Sequence, residues 1–205
     1  MSGFIFRAAR GEIGLDPALC STPAMVITAK SFHDYPAAYF DGGVAVAIVK
    51  TGRNHPLALP PSIKGTDFLN NILAKIEADE ARAFEGIMLN WQDYVAEGTI
   101  SNIFMVKKGA LYTPRRDAGI LEGVTRGLVF HRAAREKIIV NERLLRPSDF
   151  LVADECFVTN STMEIMPVTK IDKKTAGAGR PGRVTAALIQ AYKKEGGACL
   201  RTQTS

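Results

Sequence analysis

A lysine placed directly before a helical segment is the first residue that could do chemistry. Lys64 lies in PPSIKGTDFLNNILAKIEA, residues 60–78, behind Pro60 and Pro61. The helix dipole disfavours a cation at this end, so a nearby anion should compensate. The position would also suit a nucleophilic amine, whose pKa falls in a cationic and partly desolvated setting. The alternative is an ordinary solvated lysine, the commonest state of this residue type.

Three further stretches carry groups that could hold a ligand. Glu97 is followed by Gly98, a pair that is also typical of a surface turn. Residues 123–125, Gly-Val-Thr, lead into a predicted helix, where free N–H groups and a hydroxyl form either an anion site or an ordinary cap. A predicted strand ends in the polar run at residues 159–162, which alternatively makes a Ser/Thr turn.

Composition excludes several classes of protein. The chain has 205 residues, of which 46% are hydrophobic, and a net charge of +5, so a packed core is possible. The charges are dispersed, and the basic run at residues 170–183 lacks interleaved aromatics, so we expect neither a nucleic-acid partner nor a metal site. No apolar stretch reaches the ~18 residues of a membrane span. Three distant cysteines indicate free thiols in a reducing cytoplasm.

The elements that must position these groups alternate between strands and helices. Strands are predicted at residues 3–11, 24–32, 42–50, 85–90, 137–145, 154–160 and 163–171, with a hairpin over 101–114 that turns near Lys108 and Gly109. Helices are predicted after Lys64 and at residues 124–136 and 183–195. This mixed order predicts an α+β fold and one domain over residues 1–205.

The helix after Lys64 has a clear apolar stripe. Its members recur at spacings of three and four and are Phe68, Leu69, Ile72, Leu73 and Ile76. Thr66 or Asp67 is the predicted cap. Lys75 falls on the opposite side, so we expect it to point to water.

Taken in order, five segments resemble one enzyme family. They are IKGTDFLNNILAKIEA, YVAEGTISNIFMV, LYTP with ILEGVTR, VADECFVTNST and MPV, and the resemblance runs from Gly3 to Tyr192. The chain resembles the class IV (fold-type IV) pyridoxal-phosphate enzymes: branched-chain and D-amino acid aminotransferases and aminodeoxychorismate lyase. The resemblance implies the large domain of the D-amino acid aminotransferase-like fold, a mixed sheet or pseudo-barrel with packed helices, and a cytoplasmic homodimer. It also implies that the family's smaller N-terminal domain is absent.

The resemblance assigns roles to particular residues. Lys64 corresponds to the lysine that forms the internal Schiff base with pyridoxal 5'-phosphate and then moves the substrate proton. Glu97 corresponds to the carboxylate that faces the pyridine nitrogen, and Leu121 to the apolar residue on the ring face. Val124 and Thr125 correspond to the phosphate cup.

Further roles fall on the polar run. Ser161, assisted by Asn160, corresponds to a phosphate donor. The amides of Thr162 and Met163 correspond to the segment that receives the substrate carboxylate. The family's branched-chain members usually carry a Gly-Thr segment where this chain has TNSTM, and a tyrosine where Phe68 stands, so the substrate stays open.

Three functions follow from the resemblance. The first is a transaminase that moves the amino group of a branched-chain or related aliphatic amino acid to 2-oxoglutarate. The second is an aminodeoxychorismate-type lyase or a D-amino acid aminotransferase, which would use the same lysine and cofactor. The third is an inactive truncated domain, because the missing domain normally supplies an arginine to the cofactor phosphate and part of the substrate pocket.

Overall fold

The computed structural model describes residues 2–7, 16–19, 23–28 and 34–201. The chain divides into two compact units, residues 1–34 and 35–205, and each is described by itself. The prediction of a single domain over residues 1–205 therefore stays a prediction.

The first unit contains a two-stranded antiparallel ribbon. Strand β1, Ser2–Arg7, pairs with β2, Pro23–Thr28, and a short 3₁₀ turn at Pro17–Leu19 lies between them in the chain. Both strands agree with the prediction. The outer parts of those predicted strands, residues 8–11 and 29–32, lie outside the described residues.

The described part of the second unit contains the main sheet and five helices. Its strands are β3 Val44–Ile48, β4 Glu85–Leu89, β5 Val95–Gly98, β6 Asn102–Lys107, β7 Ala110–Pro114, β8 Val140–Arg143, β9 Glu155–Asn160, β10 Glu164–Ile171 and β11 Lys174–Thr175. Its helices are α1 Ala37–Gly42, α2 Leu69–Glu80, α3 Val124–Arg135, α4 Pro147–Leu151 and α5 Arg183–Arg201. The short α1, α4, β5 and β11 were not predicted, since elements of two to six residues carry little periodic signal.

The main sheet is mixed, in the order β5-β4-β3-β10-β9-β6-β7-β8, with β11 on β10. Strand β3 runs parallel to β4 and β10, and β7 runs parallel to β8, while the other pairs are antiparallel. The predicted hairpin turns at Lys108 and Gly109, both with positive φ (50° and 77°), the geometry of a two-residue hairpin turn. The predicted α+β class is confirmed.

Hydrophobic side chains cover both faces of the sheet. One cluster includes Val46, Ile87 and Met166, and the other packs Phe104 and Phe157 under α3 and α5. This explains why β4, β5 and β9 are buried along nearly their whole length rather than at alternate residues. The cores hold the ends of β5, β6 and β9 rigidly where they approach each other.

Helix α2 packs with the face opposite to its apolar stripe. The buried residues are Ala74 and Ala78, which contact β3 and β4. A Cβ added at Gly86 of β4 would lie 3.0 Å from the carbonyl oxygen of Ala74, so small residues let the helix approach the sheet closely. The predicted stripe is instead open: Phe68, Leu69, Ile72, Leu73 and Ile76 are each 41–63% exposed.

One local prediction for α2 is wrong. The N-cap residue is Phe68 rather than Thr66 or Asp67, and Asp67 accepts only a long 3.5 Å hydrogen bond from the amide of Leu69. The side chain of Lys75 is 43% exposed, and its ammonium lies 2.6 Å from Asp79 and donates to the carbonyl of Phe84 at 3.2 Å.

Membrane-spanning helices and metal clusters are both absent from the described residues. None of the helices in these ranges is long and apolar enough to cross a membrane. The same part of the chain holds no group of three or more His, Cys, Asp or Glu side chains placed to bind a metal ion.

Candidate active site

A cavity of about 360 Å³ opens between the β3–α2 loop and the ends of β5, β6 and β9. It collects seven of the nine predicted site residues, namely Lys64, Glu97, Leu121, Val124, Thr125, Asn160 and Ser161. The other two, Thr162 and Met163, do not line it. Residues from distant parts of the chain therefore meet at one place. The spacing of the motifs along the sequence does not show this.

Lys64 is presented by a tightly turned loop. The amide of Ile63 donates to the carbonyl of Pro60 at 3.0 Å, and that of Gly65 donates to the carbonyl of Ile63 at 2.9 Å. Pro61 is buried. Proline fixes its own φ, so this pair stiffens the backbone just before Lys64. The lysine is exposed and lines the cavity.

Glu97 is a buried carboxylate with three donors. Its Oε1 lies 2.9 Å from Nη2 of Arg53, and both side chains are less than 10% exposed. Its Oε2 accepts from the amide of Leu121 at 2.9 Å and from Nδ2 of Asn102 at 3.2 Å. The surface-turn interpretation is wrong, because Glu97 and Gly98 both lie inside the buried strand β5.

Opposing effects set the pKa of Glu97. Burial raises its pKa to about 7, while the positive charge of Arg53 and the hydrogen bonds from Leu121 and Arg53 work in the opposite direction. Near neutral pH both the protonated and the ionised carboxyl are therefore accessible. This is the behaviour expected of a group that has to hold or release a proton on a bound ligand.

A second buried carboxylate, Glu85, holds the turn that follows Glu97. It accepts hydrogen bonds from the amide and hydroxyl of Thr99 at 3.1 and 2.5 Å and from the hydroxyl of Ser101 at 2.8 Å. A Cβ added at Gly98 would lie 2.2 Å from Oγ of Ser101, so only glycine allows this turn to close around Glu85. The cavity wall between Glu97 and Asn102 is thus preorganised.

The N-terminus of α3 faces the same cavity. Its N-cap is Gly123, with no side-chain cap, so the first amides of this 12-residue helix keep no side-chain partner. A Cβ added at Gly123 would lie 2.3 Å from Oδ1 of Asn102, which places the helix start directly against β6. Val124 is 75% exposed and Thr125 is buried. Amides at a helix start, together with the helix dipole, favour an anion here.

Two buried hydroxyls of the cavity lack a partner. Oγ1 of Thr125 and Oγ1 of Thr159 make no hydrogen bond to any described residue, although both side chains are at most 2% exposed. Most buried polar atoms in proteins are paired. These two therefore indicate that a polar ligand or a water belongs beside them.

The turn between β9 and β10 differs from the expectation. Oδ1 of Asn160 accepts from the amides of Thr162 and Met163 at 2.9 and 2.7 Å, and its Nδ2 donates to the carbonyl of Ile100 at 3.2 Å. Met163 is buried in the core. The two amides that were predicted to receive a substrate carboxylate are thus already bonded to Asn160. Ser161 is exposed at the cavity.

Sequence reasoning missed three residues at this site, Arg53, Glu85 and Asn102, and it gave Thr159 no role of its own within the polar run at residues 159–162. In the sequence Arg53 is only part of an extended loop, and Asn102 only the start of a strand. An acidic residue in a strongly apolar run, such as Glu85 in EGIML, is an available signal, since such a group is seldom buried without a role. The partner of Arg53 is Glu97 of β5, and the local sequence around Arg53 does not predict that pairing.

Comparison with known proteins places the chain in a family. A model of the family described as amino-transferase class IV matches residues 5–171. The branched-chain-amino-acid aminotransferase-like protein 1 of Arabidopsis thaliana is 42% identical over 154 residues, covering 75% of this chain and 28% of that protein. The aminodeoxychorismate lyase of Bacillus subtilis is 41% identical over 133 residues, covering 65% of this chain and 45% of that protein.

A solved structure agrees over nearly the whole chain. The branched-chain amino acid aminotransferase of Escherichia coli superposes with a TM-score of 0.86 at 32% identity, covering 94% of this chain and 64% of that one. The branched-chain amino acid aminotransferase of Thermobaculum terrenum, solved in its PLP form, superposes with a TM-score of 0.74 at 33% identity, covering 78% of this chain and 53% of that one. The chain belongs to the class IV aminotransferase family. It spans less than two thirds of the length of each of these relatives.

Proposed function

We propose that the chain is the pyridoxal-phosphate-binding part of a class IV aminotransferase, acting on a branched-chain or related aliphatic amino acid with 2-oxoglutarate as the amino acceptor. The observation that carries the proposal is the convergence of Lys64, Glu97 and the α3 N-terminus on one cavity. An amine, a proton-holding carboxyl and an anion site are the three groups that this cofactor requires.

The residues present fit the cofactor. Its phosphate suits the α3 N-terminus, where the amides of Val124 and Thr125, the unpartnered Thr125 hydroxyl and Ser161 offer donors. Asn160 braces the turn that carries Ser161. When bound, the cofactor supplies an electron sink for a substrate carbanion.

The chain's own residues would do the remaining work. Lys64, on its stiff loop, holds the cofactor and moves the proton of the substrate α-carbon. Glu97 keeps a proton on the pyridine nitrogen, and Arg53 keeps Glu97 anionic when it must be the acceptor. Leu121 is tied to Glu97 and Asn102 through its backbone, so its side chain is fixed at the cavity as a wall for the ring.

Cavity composition supports an aliphatic substrate. Leu59, Ile63 and Phe68 line the cavity on the side of the β3–α2 loop, where an apolar side chain would be shielded from water. The amides of Thr162 and Met163 are not part of the proposed site, since Asn160 would first have to release them.

An aminodeoxychorismate-type lyase is the second candidate, favoured by the identity to the Bacillus subtilis enzyme. The same lysine and the same cavity would serve both reactions. Formation of a 2-oxo acid against release of pyruvate from aminodeoxychorismate distinguishes the two.

A homodimer is part of the proposal. The exposed stripe of α2 begins at Phe68, which also lines the cavity, and includes Ile72, Leu73 and Ile76. A contiguous apolar surface of this kind is typical of an interface, and we assign it to a second copy of the chain. We also propose a cytoplasmic location, which agrees with Cys156 being a buried free thiol.

Absorbance during titration with pyridoxal 5'-phosphate tests the proposal. We expect a shifted cofactor band in the wild-type chain, its loss in Lys64→Ala, and its retention in Lys75→Ala, the matched control on α2. Inorganic phosphate should compete, because the α3 N-terminus would hold either ligand. A band of equal strength in Lys64→Ala, or no band in any variant, would refute the proposal.

A further inference from the structure

Thr159 is a buried polar residue of the cavity that no role described above uses. Its side chain is 1% exposed, it lines the cavity, and its hydroxyl has no hydrogen-bond partner among the described residues. A hydroxyl buried without a partner costs stability, whereas valine would fill the same space without that cost. Packing therefore does not explain why this position is threonine rather than valine.

The register of the sheet places Thr159 beside the α3 N-terminus. Thr159 of β9 pairs directly with Asn102 of β6. Asn102 in turn touches Gly123, the N-cap of α3, as shown by the 2.3 Å approach of its Oδ1 to an added Cβ. Thr159 therefore lies on the strand next to β6, and β6 contacts the start of α3. The hydroxyl of Thr125, in the first turn of α3, also lacks a partner.

We propose that Thr159 is a further ligand-binding residue of the anion site at the α3 N-terminus, its hydroxyl donating to a phosphate oxygen of the cofactor. This inference rests on the proposed function. The hydroxyl is shielded in the ligand-free chain, and it reaches the ligand by rotation about the Cα–Cβ bond. That rotation breaks no hydrogen bond to the described residues, because none exists. One anion then receives hydroxyl donors from α3, from β9 and from the turn after β9, namely Thr125, Thr159 and Ser161.

The test uses valine substitutions at two cavity threonines and one control. Thr159→Val and Thr125→Val remove unpartnered hydroxyls, whereas Thr113→Val removes a fully buried hydroxyl that donates to the carbonyl of Ile103 at 2.8 Å outside the cavity. Each variant is titrated with inorganic phosphate and with pyridoxal 5'-phosphate by calorimetry, and its melting temperature is measured without ligand.

The expected signature has two parts of opposite sign. Thr159→Val should bind both ligands about ten- to a hundredfold more weakly, the usual effect of losing one charge-assisted hydrogen bond. Its ligand-free melting temperature should stay equal or rise, since an unpaired buried hydroxyl is removed. Thr113→Val should melt lower and bind normally. Thr159→Ser keeps the hydroxyl and should bind like the wild type. It provides a test of the hydroxyl if the valine variant does not fold.

Different failures have different meanings. Normal binding by Thr159→Val beside weakened binding by Thr125→Val would overturn the role of Thr159 and leave the proposed function intact. A lower ligand-free melting temperature of Thr159→Val would also overturn it, because the hydroxyl would then already be bonded in the empty protein. Undiminished binding by both variants would show that neither hydroxyl contacts the phosphate, which overturns the role of Thr159 but leaves cofactor binding in place. No binding by the wild type would remove the proposed function as well.

Discussion

Arg53 and Glu97 form a buried ion pair, with Nη2 and Oε1 2.9 Å apart, although they lie far apart in the chain. The arginine comes from the loop after β3 and the glutamate from β5. The loop is held to α2, since Nδ2 of Asn70 donates to the carbonyl of Gly52 at 2.8 Å. One contact therefore joins the loop that presents Lys64 to the strand that presents the buried carboxyl.

Replacing Arg53 should change how Glu97 ionises. In Arg53→Met the carboxyl loses its cation, so its pKa should rise further above 7. The free energy of unfolding should fall by about 3–5 kcal/mol at pH 8, the usual effect of leaving one member of a buried pair uncompensated. Carbon-13 NMR of the Glu97 carboxyl follows the titration directly.

The double variant Arg53→Met with Glu97→Gln is the control for that experiment. It removes both charges, so it should lose less stability than the two single variants together. An unchanged titration midpoint of Glu97 in Arg53→Met would show that the arginine does not govern its charge.

The pH dependence of stability should also report Glu97. The folded chain holds this proton more tightly than the unfolded chain, because the pKa is raised from 4.5 to about 7 on folding. Stability from this group is therefore present at low pH and is lost as the pH rises through that interval. Between pH 5 and pH 8 the wild type should lose about 2–3 kcal/mol relative to Glu97→Gln, which does not titrate. Urea unfolding at both pH values measures the difference, and parallel pH profiles would contradict it.

With cofactor present, Glu97→Gln should separate binding from catalysis. The cofactor should still attach to Lys64, while exchange of the substrate α-proton should fall severely, because an amide cannot keep a proton on the pyridine nitrogen. Proton NMR of the substrate in D₂O follows the exchange. An unchanged exchange rate in an active form of the protein would show that Glu97 takes no part in catalysis.

Chemical labelling should identify Lys64 rather than Lys75 as the attachment site. Lys75 is paired with Asp79 at 2.6 Å and does not line the cavity, whereas Lys64 does. After borohydride reduction with pyridoxal 5'-phosphate, peptide mapping should find the label at Lys64. A label on Lys75 with Lys64 unmodified would reverse the assignment.

The exposed stripe of α2 should control self-association. Changing Ile72 and Leu73, 53% and 48% exposed, together to lysine should convert a dimer to a monomer in sedimentation velocity. The matched control is Ile139→Lys, which alters an apolar side chain that is 68% exposed but lies outside the stripe, and it should stay dimeric. Equal sedimentation of both variants with the wild type would place the interface elsewhere.

Local patterns were sufficient for the fold class. The strands β4, β6, β9 and β10 and the helices α3 and α5 follow from burial and backbone geometry, so the sequence alone predicts them. The resemblance of the short motifs around Lys64, Glu97, Thr125 and Ser161 identified the family, which the comparison with known proteins shows.

Other features depended on which distant residues meet. The sequence shows the apolar stripe of α2 but not which face packs on the sheet. The close approach to Gly86 is made by Ala74 and Ala78, so the larger side chains of the stripe face outward. The partners of Arg53 and Glu85 lie on strands or turns that only the assembled sheet brings close to them. Hydrogen bonds and ion pairs act over about 3 Å, and only tertiary packing brings atoms so far apart in the chain within that range.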